Sequence, residues 1–218
     1  MIDLHQHTNC SDGLLSVQET IEIFVGNSGK TIAITDHDTF KSQLEAKSLC
    51  DKFGIEYVFG VELSTIYKNQ SVHVLGYFPN YPSDSIVKYI EHQTIISAVK
   101  RIRSNASDWP IGHYPIEEII RLIHSSNGIA ILAHPVMYKL LLNDLISIVD
   151  GLECINPAQD VKFTEELIQI CRDKNLYCTF GTDFHGNLGG DNINYNALYT
   201  KYHYIIEPFI SEIKIRAI

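Results

Sequence analysis

A compact, barrel-like α/β fold is what this sequence predicts, on three observations. Seven short apolar runs, rich in β-branched and aromatic residues, are spaced along the chain. Amphipathic helical patterns separate most of them. Imidazole and carboxylate side chains stand where the apolar runs stop. Alternating strand and helix patterns imply parallel strands joined by crossover helices. Strands that are apolar on both faces fit a sheet covered on both sides.

The strands are expected at Ile2–Leu4, Thr31–Thr35, Tyr57–Val61, Val72–Tyr77, Ile129–Ala133, Gly151–Ile155 and Tyr177–Gly181. Each is bounded by polar residues or glycine, the usual punctuation of a buried strand. Between them, Ser16–Asn27 opens with S-V-Q-E, the pattern of a capping box. Phe40–Phe53 stops before Gly54, and Pro115–Ser126 opens on a first-turn proline and stops before Gly128. Ser83–Arg103, Tyr138–Val149 and Thr164–Asn175 carry the remaining helical patterns. The connection from Glu62 to His73 has turn residues and no helical run, so it is expected to be hairpin-like, turning near Lys68-Asn69. Ser104–Tyr114 reads as a loop. A single domain over residues 1–218 is expected, with a short helical insertion around 83–126.

The chain has 218 residues, 45% of them hydrophobic, and a net charge of −9. That hydrophobic content supplies a real core. The acidic balance argues against an extended nucleic-acid surface, although several cations in a pocket would reverse the local sign. No apolar stretch approaches membrane-spanning length, so no membrane partner is expected. The five cysteines are odd in number and form no C-x-x-C pair. The expectation is a reduced, cytoplasmic protein without disulfides or a zinc-thiolate site, with Cys10 a small filler in its loop. Met1 leads directly into a core strand, so no signal peptide is expected.

The chemistry resides in nine residues: His5, His7, Asp12, His37, Glu62, His73, His134, Asp183 and His185. His5 and His7 are two apart on a strand end, so their rings share a face, and Asp183 and His185 repeat that spacing. Asp12 stands in S-D-G, where Gly13 permits a tight turn. His37 lies in T-D-H-D, with Asp36 and Asp38 as candidate orienting partners. Glu62 directly follows a buried strand, where an unpaired charge is costly. His73 sits in an apolar strand, and His134 precedes Pro135 at a strand terminus. Taken singly, each motif is as well explained by a turn, a cap or a core histidine. Together they deliver one ligand chemistry to one end of a barrel, which points to a cluster of divalent metals. His92, His113, His124 and His203 lie outside these positions and are expected to be surface or core residues.

The run from D-L-H-Q-H-T-N-C-S-D-G, through G-V-E-L-S and V-H-V-L-G-Y, to I-A-I-L-A-H-P and G-T-D-F-H-G resembles the polymerase-and-histidinol-phosphatase (PHP) family. The resemblance spans almost the whole chain and looks most like the phosphoesterase branch. It implies a distorted seven-stranded (β/α)7 TIM-like barrel. It also implies three divalent ions, of manganese, zinc or iron. His5, His7, Glu62 and Asp183 would hold the first. Glu62, His73 and His134 would hold the second, with Glu62 bridging. Asp12, His37 and His185 would hold the third and are the residues assigned to catalysis. The implied activity is hydrolysis of a small phosphomonoester, a nucleotide among the candidates, by a metal-activated hydroxide. A histidinol-phosphate phosphatase, a 3′-exonuclease-like enzyme and a non-catalytic metal-bound module remain alternatives. Two departures affect the substrate. Val136, Met137 and Tyr138 follow A-H-P where relatives carry an arginine, and the insertion is shorter than usual. Arg101, Arg103 and Lys139 are the nearest candidate phosphate contacts.

Overall fold

The computed structural model describes residues 1–93, 114–186 and 195–218, with side chains described from residue 200 in the last segment. Two sheets carry the fold. In the first, β1 (Ile2–Asp3), β2 (Thr31–Ile32) and β3 (Glu56–Tyr57) pair in parallel, in that order. The second contains β4 (Phe59–Tyr67), β5 (Gln70–Phe78), β6 (Tyr114–Pro115), β7 (Ile129–Leu132), β8 (Gly151–Ile155) and β9 (Tyr177–Phe180). Its order is β6-β4-β5-β7-β8-β9.

Among the described residues no continuous ladder joins the sheets into a closed barrel. Isolated backbone bonds cross both seams. On one side Leu4 N–H donates to Phe180 and Asp183 N–H to His5, beside a Gln6–Phe184 bridge. On the other, Glu62 N–H donates to Thr35, beside a His37–Glu62 bridge. Both seams lie at candidate ligand residues.

One strand departs from the parallel pattern, where a hairpin was expected. β5 runs antiparallel to both β4 and β7, because it returns from β4 through a tight hairpin. Lys68 and Asn69 form the turn at φ 48° and 62°, the left-handed geometry that matches strand twist in a two-residue hairpin. The segment expected to be mostly connection is nearly all strand, with a register running from Phe59–Phe78 to Tyr67–Gln70. The alternation of buried and exposed residues at Thr65, Ile66 and Tyr67 explains it, being a period-2 signal short enough to be masked by turn formers.

Helices cover the outside. α1 (Val17–Gly26) has the expected capping box, with Ser16 and Glu19 each accepting from the other's backbone. α2 (Gln43–Phe53) ends on Gly54 at φ 67°, a left-handed stop. Residues 84–93 form α3; the rest of the expected Ser83–Arg103 helix and the 104–113 loop lie outside the described residues. α4 (Ile116–Ser125) places Pro115 at the capping position, one residue before the expected first turn. The Tyr138–Val149 expectation is corrected. That region is a 3-10 turn, Pro135–Tyr138, followed by the single-turn α5 (Leu142–Leu145). α6 (Val161–Lys174) ends on Asn175 in the left-handed conformation.

The last helix, α7 (Tyr195–Arg216), was not expected. Its buried Tyr202, Ile206, Phe209, Ile210 and Ile213 keep a helical period, but tyrosines, isoleucines and an internal Pro208 are weak helix formers. The main core lies inside the ring of strands and under α4, α6 and α7, and a smaller one lies between β2, α1 and α2. No described helix is long and apolar enough to cross a membrane.

Candidate metal centre

The structure brings all nine candidate ligands to one mouth. His5 and His7 lie on the extended chain beyond β1, both fully buried, with rings on the same side. Their Nε2 atoms are 3.1 Å apart. They approach Glu62 Oε2 at 3.0 and 3.1 Å and Asp183 Oδ1 at 3.3 and 3.2 Å. Two imidazole lone pairs and two carboxylate oxygens at one point fit a shared cation.

Glu62 has a second face. Its Oε1 receives His73 Nδ1 at 2.9 Å and His134 Nε2 at 3.0 Å. One carboxylate therefore serves two donor groups, one on each oxygen. Glu62 lies within β4 and not at its end, since the strand runs on to Tyr67. His73 arrives on the amino half of β5, and strand reversal alone puts that half at the mouth.

The third group is more open. Asp12 Oδ2 stands 3.3 Å from His185 Nε2 and 3.8 Å from His37 Nε2. His7 also joins it, through Nδ1, at 3.6 Å from Asp12 Oδ1. That His7 nitrogen is buried with no hydrogen-bond partner, as is His37 Nδ1. Side-chain exposure is 55% at Asp12, 32% at His185 and 25% at His37, against 1% at Glu62.

Local backbone geometry serves the site. Asp183 and His134 adopt φ 56° and 28°, unfavourable for residues with a Cβ. Such strain concentrates where a side chain must be aimed. Gly13 closes the expected tight turn, its N–H donating to Thr8, and does so by close approach, since a Cβ there would lie 2.7 Å from the His7 carbonyl. A Cβ at Gly181 would run into His5 and Glu153.

Three buried carboxylates hold the candidate ligands in place, and two of them, Glu153 and Asp3, escaped the sequence reading. Glu153, fully buried on β8, accepts from His5 Nδ1 at 2.9 Å, His134 N–H at 2.7 Å and Asn156 Nδ2 at 3.0 Å. An acid within the apolar run G-L-E-C-I was the available signal. Asp3 accepts from His5 N–H, Gln6 and Thr182. Asp36 was expected to orient His37; its carboxylate instead accepts from Thr8 and Ser11, tying down the loop that presents Asp12. Asp38 accepts Ser64 N–H.

Electrostatics follow from this packing. At His7 burial opposes the charged form, but bonds to Asp183 and Glu62 outweigh it and hold the pKa up at about 9. His5 is likewise raised, by Glu62 and Glu153 against burial. Burial also works against Glu62, yet its histidines hold it well below the usual carboxylate range, and Asp183 is lowered by His7 and His5. His37 goes the other way: burial lowers it to about 4, and the neighbouring His7 and His73 reinforce that against Glu62. Burial raises Asp38 to about 7.

Other candidates lie apart. Arg101, Arg103 and His113 are outside the described residues. Lys139 is exposed, with its ammonium 4.5 Å from the centre of the Phe163 ring. His124 pairs with Asp150 at 2.7 Å.

With this geometry in view, the PHP domain profile matches residues 3–178. The chain belongs to the PHP domain family. A 5′-3′ exoribonuclease of Salmonella typhimurium is 26% identical, with 84% of each chain covered. A 3′,5′-nucleoside bisphosphate phosphatase of Chromobacterium violaceum is 23% identical over 84% of this chain and 87% of its own. Among solved structures, a proposed metal-dependent phosphoesterase of Bifidobacterium adolescentis superposes with a TM-score of 0.72 at 20% identity, covering 92% of this chain and 96% of its own. The distorted PHP barrel is thus the fold, with seams crossed by a few backbone bonds in place of full ladders.

Proposed function

We propose that this PHP chain hydrolyses a small phosphomonoester, nucleotides foremost, at three divalent ions grouped around Glu62. In coarser terms it is a metal-dependent phosphoric ester hydrolase, the statement on which family, donor set and the relatives' activities agree. The observation that carries the finer reading is the division of Glu62, whose two oxygens face separate donor groups. Bound ions would supply Lewis acidity and an acidified water at neutral pH.

The residues divide the work. His5, His7, Glu62 and Asp183 would hold one ion, and Glu62, His73 and His134 a second. Asp12, His37 and His185, beside the His7 Nδ1 lone pair, would hold a third. The neutral His37 ring keeps a lone pair free at physiological pH. The mixed oxygen and nitrogen donors suit manganese, zinc or iron. Exposure falls from Asp12 toward Glu62, so an ester enters from the Asp12 side. Of the expected phosphate contacts Lys139 lies apart over the Phe163 ring, and Arg101 and Arg103, outside the described residues, remain the proposal.

Protein supplied with manganese is expected to release phosphate from an aryl phosphate, and His37→Ala or Asp183→Ala to abolish release. Full activity in either variant overturns the assignment. A substrate screen with nucleotides, nucleoside bisphosphates, sugar phosphates and histidinol phosphate sets the class. Faster release of mononucleotides from a 5′-phosphorylated oligoribonucleotide would replace the monoester reading with an exonuclease. Fewer than two ions per folded chain would favour the non-catalytic module.

A further inference from the structure

Behind β8, on the face away from the metal centre, three cysteines meet. Cys154 on β8 neighbours Glu153 in sequence, but Glu153 reaches His5 while the Cys154 sulfur meets cysteines of α6 and β9. Cys171 comes from α6, and Cys178 from β9. The Cys154 Sγ lies 3.5 Å from that of Cys171 and 3.2 Å from that of Cys178, and all three sulfurs fall within 4.8 Å of one another. All five cysteines of the chain are free thiols. The sequence expectation of no thiolate site rested on C-x-x-C spacing, and here ligands 17 and 24 residues apart meet only through tertiary packing.

We propose that Cys154, Cys171 and Cys178 form a second, separate metal site, which takes a thiophilic d10 cation such as Cu⁺ or Zn²⁺. Soft thiolates select such ions over the harder ones suited to oxygen and nitrogen donors. Tetrahedral binding at about 2.3 Å places thiolate sulfurs about 3.8 Å apart, somewhat beyond the 3.5 and 3.2 Å that separate Cys154 from Cys171 and Cys178. Access is provided. An open cleft of about 500 Å³ is lined by Cys171, Cys178, Arg172, Asn175 and Tyr204 among others. It gives a path for entry and room for a fourth ligand. Arg172 places positive charge beside a site that would otherwise collect three thiolates. Hydrogen bonding from Cys154 and Cys171, aided by the Arg172 charge, lowers the Cys178 thiol against burial, while Cys154 and Cys171 are pushed up, so the three thiols share their protons unequally. Binding breaks three S–H bonds at most, forms three sulfur–metal bonds and releases the protons to solvent. No oxidant is needed.

The test uses the reduced full chain, with manganese first filling the oxygen and nitrogen donors. One equivalent of Cd²⁺ serves as probe, because thiolate-to-cadmium charge transfer absorbs in the ultraviolet in proportion to the number of Cd–S bonds. The proposal expects absorbance for three such bonds per chain, and a weakening of Cd²⁺ binding by at least about 100-fold in Cys171→Ser. Manganese content should stay unchanged in that variant. Absorbance for fewer than three bonds in the wild-type chain overturns the proposal whether or not the variant folds. So does undiminished absorbance in Cys171→Ser. A failed phosphatase assay with normal cadmium absorbance would count against the proposed function alone.

Discussion

The metal centre is built in two ways within one mouth. His5, His7, Asp12 and Asp183 stand on chain that has left its strand, after elements as short as the two residues of β1. Buried carboxylates hold that chain: Glu153 on His5, Asp3 on Thr182, Asp36 on the Thr8–Ser11 loop. Glu62 and His73 stand inside two nine-residue strands and are held by an unbroken antiparallel ladder. Loop ligands therefore depend on side chains behind them, while strand ligands depend on backbone. The two constructions should fail differently.

The largest effect is expected at the point where both meet. Glu62→Gln removes the charge that two donor groups share, and activity should fall at least about 10³-fold with loss of bound metal by elemental analysis. A variant that keeps its ions would show that Glu62 is not the common ligand. Next comes Glu153→Gln. Removing an orienting carboxylate behind a ligating histidine typically weakens metal binding about 10–100-fold, and a metal titration should show that loss in a folded chain. An unchanged affinity would mean that the His5 loop holds itself. Gly181→Ala should resemble it, since its methyl displaces His5 and Glu153 together.

A pH dependence separates empty from filled loops. His7 titrates at about 9 in the fold, against about 6.5 when unfolded. Its protonation thus stabilises the metal-free chain fully below pH 6.5, and that contribution is lost as pH rises to 9. Melting of the chelated protein should fall across this window, while stabilisation by manganese grows, with protons released on binding. A flat profile for the chelated protein would remove the His7 charge from the account.

The smallest effect belongs to the hairpin turn. Lys68→Gly relieves a left-handed lysine and removes an exposed 2.7 Å pair with Asp144. The two changes oppose each other and the pair is exposed, so the melting temperature should hardly move. Metal affinity should not change, because the ladder holds Glu62 and His73 without the turn. A large loss would erase the distinction between the two constructions.

The same division explains what could be read from the sequence. His5, His7, Asp183 and His185 announced themselves because a polar ligand after an apolar run breaks a simple pattern. The Lys68-Asn69 turn was visible for a similar reason. Glu153 was not, because nothing local says whether a lone acid in a strand faces a metal site or solvent. The reversal of β5 followed from the Lys68-Asn69 turn, but the length of the two strands did not, since turn formers masked the alternation around Thr65–Tyr67. The meeting of Cys154, Cys171 and Cys178 is purely tertiary, and α7 was obscured by residues of low helical propensity.

The seams between the sheets acquire a meaning from this. One is crossed by the backbone bonds Leu4–Phe180, His5–Asp183 and His7–Phe184, the other by Thr35–Glu62 and Asp38–Glu62, all at candidate ligands or their neighbours. Cations gripped there would reinforce two edges that peptide groups join by a few irregular bonds and no continuous ladder. Closing the ring and charging the site then become one equilibrium. Stripping the ions would do more than silence the chemistry: it would unfasten the two sheets at their rim.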